Sequence, residues 1–241
     1  MSIKLIFDRF LHLISVPTCV CCKERLDFNN LALCPKCSAQ FEEIKTRNCS
    51  KCGKILSMCS CSTKDLEIHF VKKIVKSFRY YPRTENLAAN ALIYSLKHDN
   101  RDDVLEKCTN EMCSSILNSF DITSDFIITN VPRRRKAIVE YGIDHSELLA
   151  KSVAKRLGVE YIKSLKSRAK REQKQLTKEE RLFNTEFALI TDQTLSNKNV
   201  IIVDDIITTG ASIGNAATMI RALRPKNIYA AALAIAYKDD L

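Results

Sequence analysis

The sequence has no uncharged apolar stretch of about 20 residues, the length that a membrane-spanning helix needs. Residues 1–16 are apolar, but Lys4, Asp8 and Arg9 interrupt them, and they lack the uncharged core and the small-residue cleavage site of a secretory signal. The chain also lacks low-complexity tracts, and 46% of its 241 residues are hydrophobic. We therefore expect a folded cytoplasmic protein in which residues 1–16 form an amphipathic helix packed on the rest.

Cysteine is concentrated near the beginning of the chain, where nine of the eleven cysteines lie within the first 61 residues. Eight of them form four closely spaced pairs, namely Cys19 and Cys22, Cys34 and Cys37, Cys49 and Cys52, and Cys59 and Cys61. Two such pairs facing each other supply four thiolates to one zinc ion, as in a zinc ribbon. Four pairs therefore predict two structural zinc ions. A disulfide framework is the alternative, but it would need an exported protein, because cytosolic thiols stay reduced.

The simplest assignment of ligands is sequential. The first zinc ion would bind Cys19, Cys22, Cys34 and Cys37, and the second would bind Cys49, Cys52, Cys59 and Cys61. An interleaved assignment fits the same spacing. Cys21 is an additional thiol inside the first pair and leaves open which cysteine binds there. Cys108 and Cys113 lie in a predicted helix, where we expect them to be packing residues.

The chain is basic, with a formal charge of +10 when thiols are counted as neutral. Eight metal-bound thiolates and two Zn²⁺ ions would lower that charge to +6. A basic protein suits phosphorylated substrates or nucleic acid, and the charge does not choose between them.

Residues 200–212 are the most informative stretch. An apolar run typical of a buried parallel strand leads into Asp204 and Asp205, then into a loop of small residues and an amphipathic helix over 212–223. The free N–H groups and the dipole of a helix start attract a phosphate, and the two acids can accept hydrogen bonds from ribose hydroxyls. The pattern therefore predicts a site for a phosphorylated sugar. The alternative is structural, because Asp often ends strands and Ser or Thr often caps helices.

This stretch resembles the phosphoribosyl-pyrophosphate (PRPP) loop of type I phosphoribosyltransferases. The resemblance implies that Asp204 and Asp205 hold the 2′- and 3′-hydroxyls of the ribose. It also implies that the amides and hydroxyls of the loop hold the 5′-phosphate, the loop residues being Thr208, Thr209, Gly210, Ala211 and Ser212. Gly210 would let the backbone approach the phosphate closely.

A basic run follows the predicted strand 125–131, at the end of the sheet where ligands bind in open α/β folds. Its cations, Arg133, Arg134, Arg135 and Lys136, are expected to neutralise a pyrophosphate, although a solvated basic loop is the alternative. In the next helix start, His145 is a possible acid–base group, but a polar residue without a catalytic role is the more common case.

The stretch 166–184 is highly charged and includes Arg168. A basic, polar segment beside a phosphate site is typical of a lid that closes over the substrate and excludes water. A plain exposed loop is the alternative. As part of a lid, Arg168 would stabilise the charge that builds on the leaving pyrophosphate.

Strands and helices alternate along the rest of the chain, which predicts an α/β fold with a parallel sheet flanked by helices. The predicted strands are 71–81, 125–131, 159–165, 200–203 and 227–236, and the predicted helices are 84–97, 101–119, 144–157 and 212–223. Apolar and basic residues alternate in the first strand, so we expect it to be half-exposed. We place a zinc-ribbon domain at 1–65 and a phosphoribosyltransferase-like domain at 66–241.

The order of these features resembles the ComF family. After the cysteine pairs come Lys97 in Ser-Leu-Lys, Pro132, Gly142, Arg168 and then a pattern of Gln173, Leu176, Glu180, Arg181, Asn184 and Phe187. One departure is clear: the family usually has Arg-Gly-Phe-Asn-Gln at 141–145, where this chain has Tyr-Gly-Ile-Asp-His. The resemblance implies a link to DNA uptake during competence.

The resulting hypothesis is an enzyme that transfers phosphoribose from PRPP, with Mg²⁺, to an unknown nitrogen acceptor. The alternatives are a non-catalytic module that senses PRPP or binds nucleic acid, and a protein whose residues 1–65 dock another competence protein. For single-stranded DNA, the best aromatic candidates are Tyr80 and Tyr81, which lie beside Arg79 and Arg83.

Overall fold

The computed structural model describes residues 17–27, 32–49, 52–59, 70–82, 84, 87–99, 101–133, 138–139, 142–168 and 187–237. Within these ranges the helices are α1 (Pro35–Thr46), α2 (Ala88–His98), α3 (Asp102–Leu117), α4 (His145–Leu157) and α5 (Ala211–Ile220). The strands are β1 (Ile74–Tyr80), β2 (Phe126–Asn130), β3 (Glu160–Tyr161), β4 (Leu165–Ser167), β5 (Phe187–Leu189), β6 (Asn199–Ile207) and β7 (Asn227–Ala236). The predicted helix at 1–16 and most of the predicted lid lie outside the described residues.

A parallel sheet of five strands, in the order β1-β7-β6-β2-β3, forms the centre of the fold. Alternate residues of β6 face two separate cores. Ile201 and Val203 pack with the core that includes α2, α3 and α4, whereas Val200 and Ile202 pack with α5. Helices therefore cover both faces of the sheet, which explains the uninterrupted apolar run of β6 and confirms the predicted α/β fold class.

Local signals determine where α4 begins and ends. The carboxylate of Asp144 accepts hydrogen bonds from the backbone N–H groups of Ser146 and Glu147, each at 3.1 Å. Gly158 ends the helix in the left-handed conformation, with φ of 69°. This is the stop signal that the sequence predicted. Buried Cys108 and Cys113 in α3 are packing residues, as expected.

The predicted strand 159–165 was wrong as a single element. Only Glu160–Tyr161 joins the large sheet, where it pairs with β2. Leu165–Ser167 instead pairs antiparallel with Phe187–Leu189 in a small separate sheet. The chain leaves the large sheet after Tyr161, and the partner strand β5 lies about twenty residues further on, beyond the reach of a local pattern.

The prediction of a half-exposed β1 was also wrong. Lys76 is 7% exposed and Arg79 is 1% exposed. The cysteine-rich segment covers this edge strand, because Lys76 donates to the carbonyl of Cys59 and Arg79 donates to the carbonyl of Arg47. The ring of Phe41 in α1 also packs edge-on against Phe78, with 5.0 Å between ring centroids.

The cysteine-rich segment and the α/β part share one hydrophobic core, which includes Leu33, Phe41 and Ile44 together with Val75 and Phe78. Polar contacts add to it: Arg101 donates to the carbonyl of Thr18 at 2.8 Å, Asp103 accepts from the amide of Ala32 at 3.1 Å, and Lys45 pairs with Glu111 at 2.8 Å. The two parts therefore pack as one body. The predicted boundary at 65 and 66 lies outside the described residues. None of the helices in the described ranges is long and apolar enough to cross a membrane.

Candidate functional site at the carboxyl edge of the sheet

The two acids of the motif lie near the carboxyl end of the central strand β6. The neighbouring strand β2 ends at Asn130, which is in register with Val203. The backbone N–H of Val131 still bonds to the carbonyl of Val203 at 2.9 Å. The chain therefore leaves β2 alongside β6, which places Arg133 beside Asp204 and Asp205.

Asp205 is the centre of an ion-pair cluster. Its Oδ2 accepts from Nη2 of Arg133 at 2.8 Å and lies 3.3 Å from Nζ of Lys97 at the end of α2. Its Oδ1 accepts from the backbone N–H of Ile206 at 2.7 Å. Three elements, α2, β2 and β6, therefore bring two cations and a carboxylate to one edge of the sheet.

The two adjacent acids have opposite pKa shifts. Burial raises the pKa of Asp204 well above its usual value, and the charge of Asp205 adds to that shift. Burial also acts to raise the pKa of Asp205, but Lys97 and Arg133 outweigh it and hold that pKa below its usual value. The pair therefore presents one firmly charged acceptor and one acid that is readily neutral.

The loop after β6 forms the start of α5. Gly210 takes the left-handed conformation, with φ of 82°, and Ala211 begins the helix. Thr208, Thr209, Ala211 and Ser212 are exposed around it. The first amides of any helix have no partner within the helix, so this loop offers exposed hydroxyls beside free N–H groups.

Asp144 and His145, at the start of α4, hold Arg133 in place. Oδ2 of Asp144 accepts from the backbone N–H of Arg133 at 3.2 Å while Oδ1 caps α4. Nδ1 of buried His145 lies 3.4 Å from Nη1 of Arg133. Burial and then the charge of Arg133 lower the pKa of His145, which favours a neutral imidazole that accepts from Arg133.

Arg133 is the predicted basic residue that the structure places in this cluster. Arg134, Arg135 and Lys136 lie outside the described residues. Arg168 directly follows β4, a strand of the small antiparallel sheet. Conversely, Lys97 had no predicted role, because only the tertiary fold shows that the end of α2 reaches β6.

The aromatic candidates for DNA stacking were wrong in part. Tyr81 is buried against Tyr237, with 5.7 Å between the ring centroids, and Arg79 is buried as well. An exposed aromatic ring near the site is Tyr94 in α2, which is 64% exposed and lies 4.4 Å from the ring of His98, the two planes being tilted by 37°. Helical spacing puts Tyr94 one turn before His98, on the helix that also supplies Lys97.

The cysteines form two clusters in which the sulfur atoms lie within 4.8 Å of one another. One contains Cys19, Cys22, Cys34 and Cys37, and the other contains Cys49, Cys52 and Cys59. This is the grouping of the sequential assignment. Cys21 is in neither cluster, and Cys61 lies outside the described residues. The distances between Sγ atoms of Cys22 and Cys34, 3.5 Å, and of Cys52 and Cys59, 3.8 Å, are near the roughly 3.8 Å expected in a tetrahedral zinc–thiolate site.

Two identical turns place the first cysteine of each cluster. In both, the cysteine carbonyl accepts from the N–H four residues later, which is Lys23 after Cys19 and Gly53 after Cys49, at 3.0 and 2.8 Å. Both of these later residues have φ of 65°. Burial acts to raise the pKa of Cys19, but hydrogen bonds from backbone N–H groups outweigh it and bring that pKa to about 7. The four sulfur atoms fit a zinc ion by their chemical type and their spacing.

Residues 143–240, from α4 through β7, match the family described as phosphoribosyl transferase domain. The parallel sheet flanked by helices is phosphoribosyltransferase-like. This phosphoribosyltransferase-like part contains β6, the acidic pair and the loop that opens α5. No curated protein sequence matches the chain.

Solved phosphoribosyltransferases resemble the structure at low identity. An adenine phosphoribosyltransferase is 20% identical over 56% of this chain and 71% of its own, with a TM-score of 0.38. The glutamine PRPP amidotransferase from B. subtilis is 16% identical over 58% of this chain but only 30% of its own, with a TM-score of 0.41. A hypoxanthine phosphoribosyltransferase from Staphylococcus aureus is 11% identical over 53% of this chain and 61% of its own, with a TM-score of 0.35.

Proposed function

We propose that the protein binds PRPP and transfers its phosphoribosyl group to a nitrogen acceptor, with release of pyrophosphate. The observation that carries this proposal is the cluster of Asp205, Arg133 and Lys97 at the end of β6, followed directly by the loop that opens α5. A single ligand with ribose hydroxyls, a 5′-phosphate and a pyrophosphate would use the acids, the loop and the cations together.

Each part of the site has a proposed role. Asp204 and Asp205 accept hydrogen bonds from the ribose hydroxyls. The 5′-phosphate binds the exposed loop and the helix start, that is Thr208, Thr209, Gly210, Ala211 and Ser212. Gly210 suits this role, because its left-handed backbone has no Cβ to hinder the phosphate.

The cations would act on the leaving group. As the bond between C1 of the ribose and the pyrophosphate oxygen breaks and the bond to nitrogen forms, negative charge builds on the pyrophosphate. Arg133 and Lys97 are already fixed at this edge by Asp205, so little reorganisation is needed to stabilise that charge. The proposal extends to Arg134, Arg135 and Lys136, and to Arg168 as part of a closing lid.

Mg²⁺ is the proposed ion at this site, since it prefers oxygen ligands and substrate phosphates. The two carboxylates of Asp204 and Asp205 are the oxygen donors that the chain offers there. When bound, Mg²⁺ would neutralise part of the charge of the pyrophosphate.

We assign the chain to the ComF family and propose a link to DNA uptake during competence. Support comes from the order of the features: cysteine clusters first, then Lys97, then the phosphoribosyltransferase-like part. In this proposal the two cysteine clusters hold two structural zinc ions, with Cys61 completing the second set. The reduced thiols that these sites need fit a cytoplasmic protein.

A non-catalytic module that senses PRPP or binds single-stranded DNA is the second candidate. Exposed Tyr94 favours it, because a base can stack on an exposed aromatic ring on the helix that also carries Lys97. The formal charge of +10 would also attract phosphates.

The release of pyrophosphate from PRPP and Mg²⁺, screened with bases and with single-stranded DNA as acceptors, separates the two. An enzyme releases pyrophosphate only when its acceptor is present. A sensor binds PRPP in a calorimetric titration but releases none with any acceptor. DNA binding through phosphates should weaken steeply as salt rises, whereas a flat dependence contradicts it.

A further inference from the structure

Strand β1 carries a buried guanidinium, that of Arg79, which has no counter-charge among the described residues. Arg79 is 1% exposed, and its Nη1 donates to the carbonyl of Arg47. Its Nη2 has no hydrogen-bond partner, and no carboxylate pairs with Arg79 among the residues that the structure describes. A buried charge is strongly destabilising unless something of opposite sign lies nearby. The surroundings of Arg79 should therefore contain a negative charge.

The surroundings of Arg79 lead to the second cysteine cluster. The guanidinium lies over the ring of Tyr237, 5.5 Å from its centroid. The hydroxyl of Tyr237 is 3.1 Å from Sγ of Cys49. Arg47, whose carbonyl accepts from Arg79, lies two residues before Cys49. One side chain, that of Tyr237, therefore lies between the guanidinium and the cluster formed by Cys49, Cys52 and Cys59.

A metal–thiolate centre at this cluster would supply that negative charge. Three thiolates already outweigh one Zn²⁺ by one charge, and each further thiolate adds another. We propose that Arg79 is the counter-charge of a zinc–thiolate centre built on Cys49, Cys52 and Cys59. This inference rests on the proposed zinc binding, but not on PRPP binding or catalysis. Tyr237, directly after β7, links the same centre to the last strand of the sheet.

The first cluster has a different arrangement, which makes it a control within the same chain. Arg101 reaches the carbonyl of Thr18, beside Cys19, much as Arg79 reaches that of Arg47. However, Arg101 pairs with Asp103 at 2.7 Å. Its charge is compensated whether or not a metal is bound, whereas Arg79 depends on the metal.

The test compares Arg79→Met with Arg101→Met in the full chain. Both substitutions remove a cation and keep an unbranched apolar side chain. Zinc analysis counts the bound ions, and competition with a chromophoric chelator measures how tightly each ion is held. The variant Cys52→Ser removes a ligand of the second centre and so shows which step of zinc release belongs to that centre. We expect wild type to hold two zinc ions, and Arg79→Met to hold the second about 10- to 100-fold more weakly with the first unchanged.

Melting temperatures measured with and without a chelator distinguish a counter-charge from a residue that only packs in the core. Arg79→Met should lower the melting temperature of the zinc-bound protein and raise that of the metal-free protein, because only the latter holds an uncompensated charge. Arg101→Met should shift both forms in the same direction. A shift of the same sign in both forms of Arg79→Met overturns the inference.

Arg79→Lys keeps the proposal testable if Arg79→Met does not fold. It retains the charge, so it should retain the second zinc ion more tightly than any neutral variant, including Arg79→Gln. Equal retention by Arg79→Lys and Arg79→Gln contradicts a role for charge. A wild-type protein that holds only the first zinc ion contradicts the inference as well, while leaving PRPP binding untouched.

Discussion

Lys97 and Asp205, 108 positions apart in the chain, meet at the carboxyl edge of the sheet, with 3.3 Å between Nζ and Oδ2. The contact joins the last turn of α2 to the end of β6. With Arg133 on the same oxygen, it keeps Asp205 charged and gathers two cations where the proposed pyrophosphate would lie.

Lys97→Met should weaken the binding of PRPP by about 10-fold or more, because a hydrogen bond to a charged group contributes roughly 1.5–3 kcal/mol. It should also raise the pKa of Asp205, which loses one of the two cations that lower it. Calorimetric titration with PRPP measures the first effect. Lys107→Met is the matched control, because Lys107 is a similarly buried lysine that pairs with Glu111 in α3. Equal losses in the two variants would contradict a role of Lys97 in the site.

Asp204→Asn should stabilise the protein at neutral pH while weakening PRPP binding. Burial raises the pKa of Asp204, so the folded protein binds this proton more tightly than the unfolded chain does. The protonated carboxyl of Asp204 therefore contributes to the free energy of unfolding at low pH, and this contribution is lost as the pH rises through the raised pKa. The amide removes that loss, and we expect the melting temperature at pH 7 to rise by about 2 °C or more.

Melting curves at pH 4 and pH 7 check the sign of this effect, with exposed Asp192→Asn as the control. The gain from Asp204→Asn should shrink at the lower pH, where the wild-type carboxyl is already neutral. A larger gain at pH 4 than at pH 7 is incompatible with a raised pKa.

Asp144→Ala should lower both stability and PRPP affinity, because one carboxylate caps α4 and fixes the backbone of Arg133. Loss of an N-cap costs about 1 kcal/mol. Asp144→Asn keeps one oxygen, which can cap α4 but cannot also accept from the backbone N–H of Arg133, so it should preserve stability better than PRPP affinity. Denaturant unfolding and PRPP titration distinguish the variants. If Asp144→Asn binds PRPP as tightly as wild type does, the hydrogen bond from the backbone of Arg133 to Asp144 is not what holds Arg133.

Phe41→Ala should destabilise the whole protein by roughly 3–5 kcal/mol, because Phe41 packs on Phe78 in the core shared by both parts of the chain. Exposed Ile55→Ala in the same cysteine-rich segment should change stability by less than about 0.5 kcal/mol. Far-ultraviolet circular dichroism should show one transition that shifts as a unit. A second, unshifted transition from the α/β part would show that residues 1–65 fold independently.

The elements with strong local signals were predictable from the sequence. The apolar run of β6 is buried on both faces, and Asp144 and Gly158 mark the ends of α4 by their own backbone chemistry. The cysteine spacing likewise predicted the two clusters, because ligands of one site are close in sequence.

The remaining features depend on contacts between distant segments. Lys97 reaches Asp205 only through the packing of α2 on the sheet. Lys76 and Arg79 are of residue types that are usually exposed, yet both are buried because the cysteine-rich segment covers the edge strand. Hydrophobic periodicity within a strand cannot show that a distant segment of the chain covers that strand.

The binding of PRPP with Mg²⁺ to the full chain tests the central claim most directly. Isothermal titration calorimetry of wild type and Asp204→Asn measures it. We expect saturable binding by wild type and a clearly lower affinity for Asp204→Asn, which replaces a carboxyl oxygen proposed to accept from the ribose hydroxyls with an amide NH₂ group that cannot accept. No binding by wild type, or equal binding by the two proteins, would contradict the proposed PRPP site.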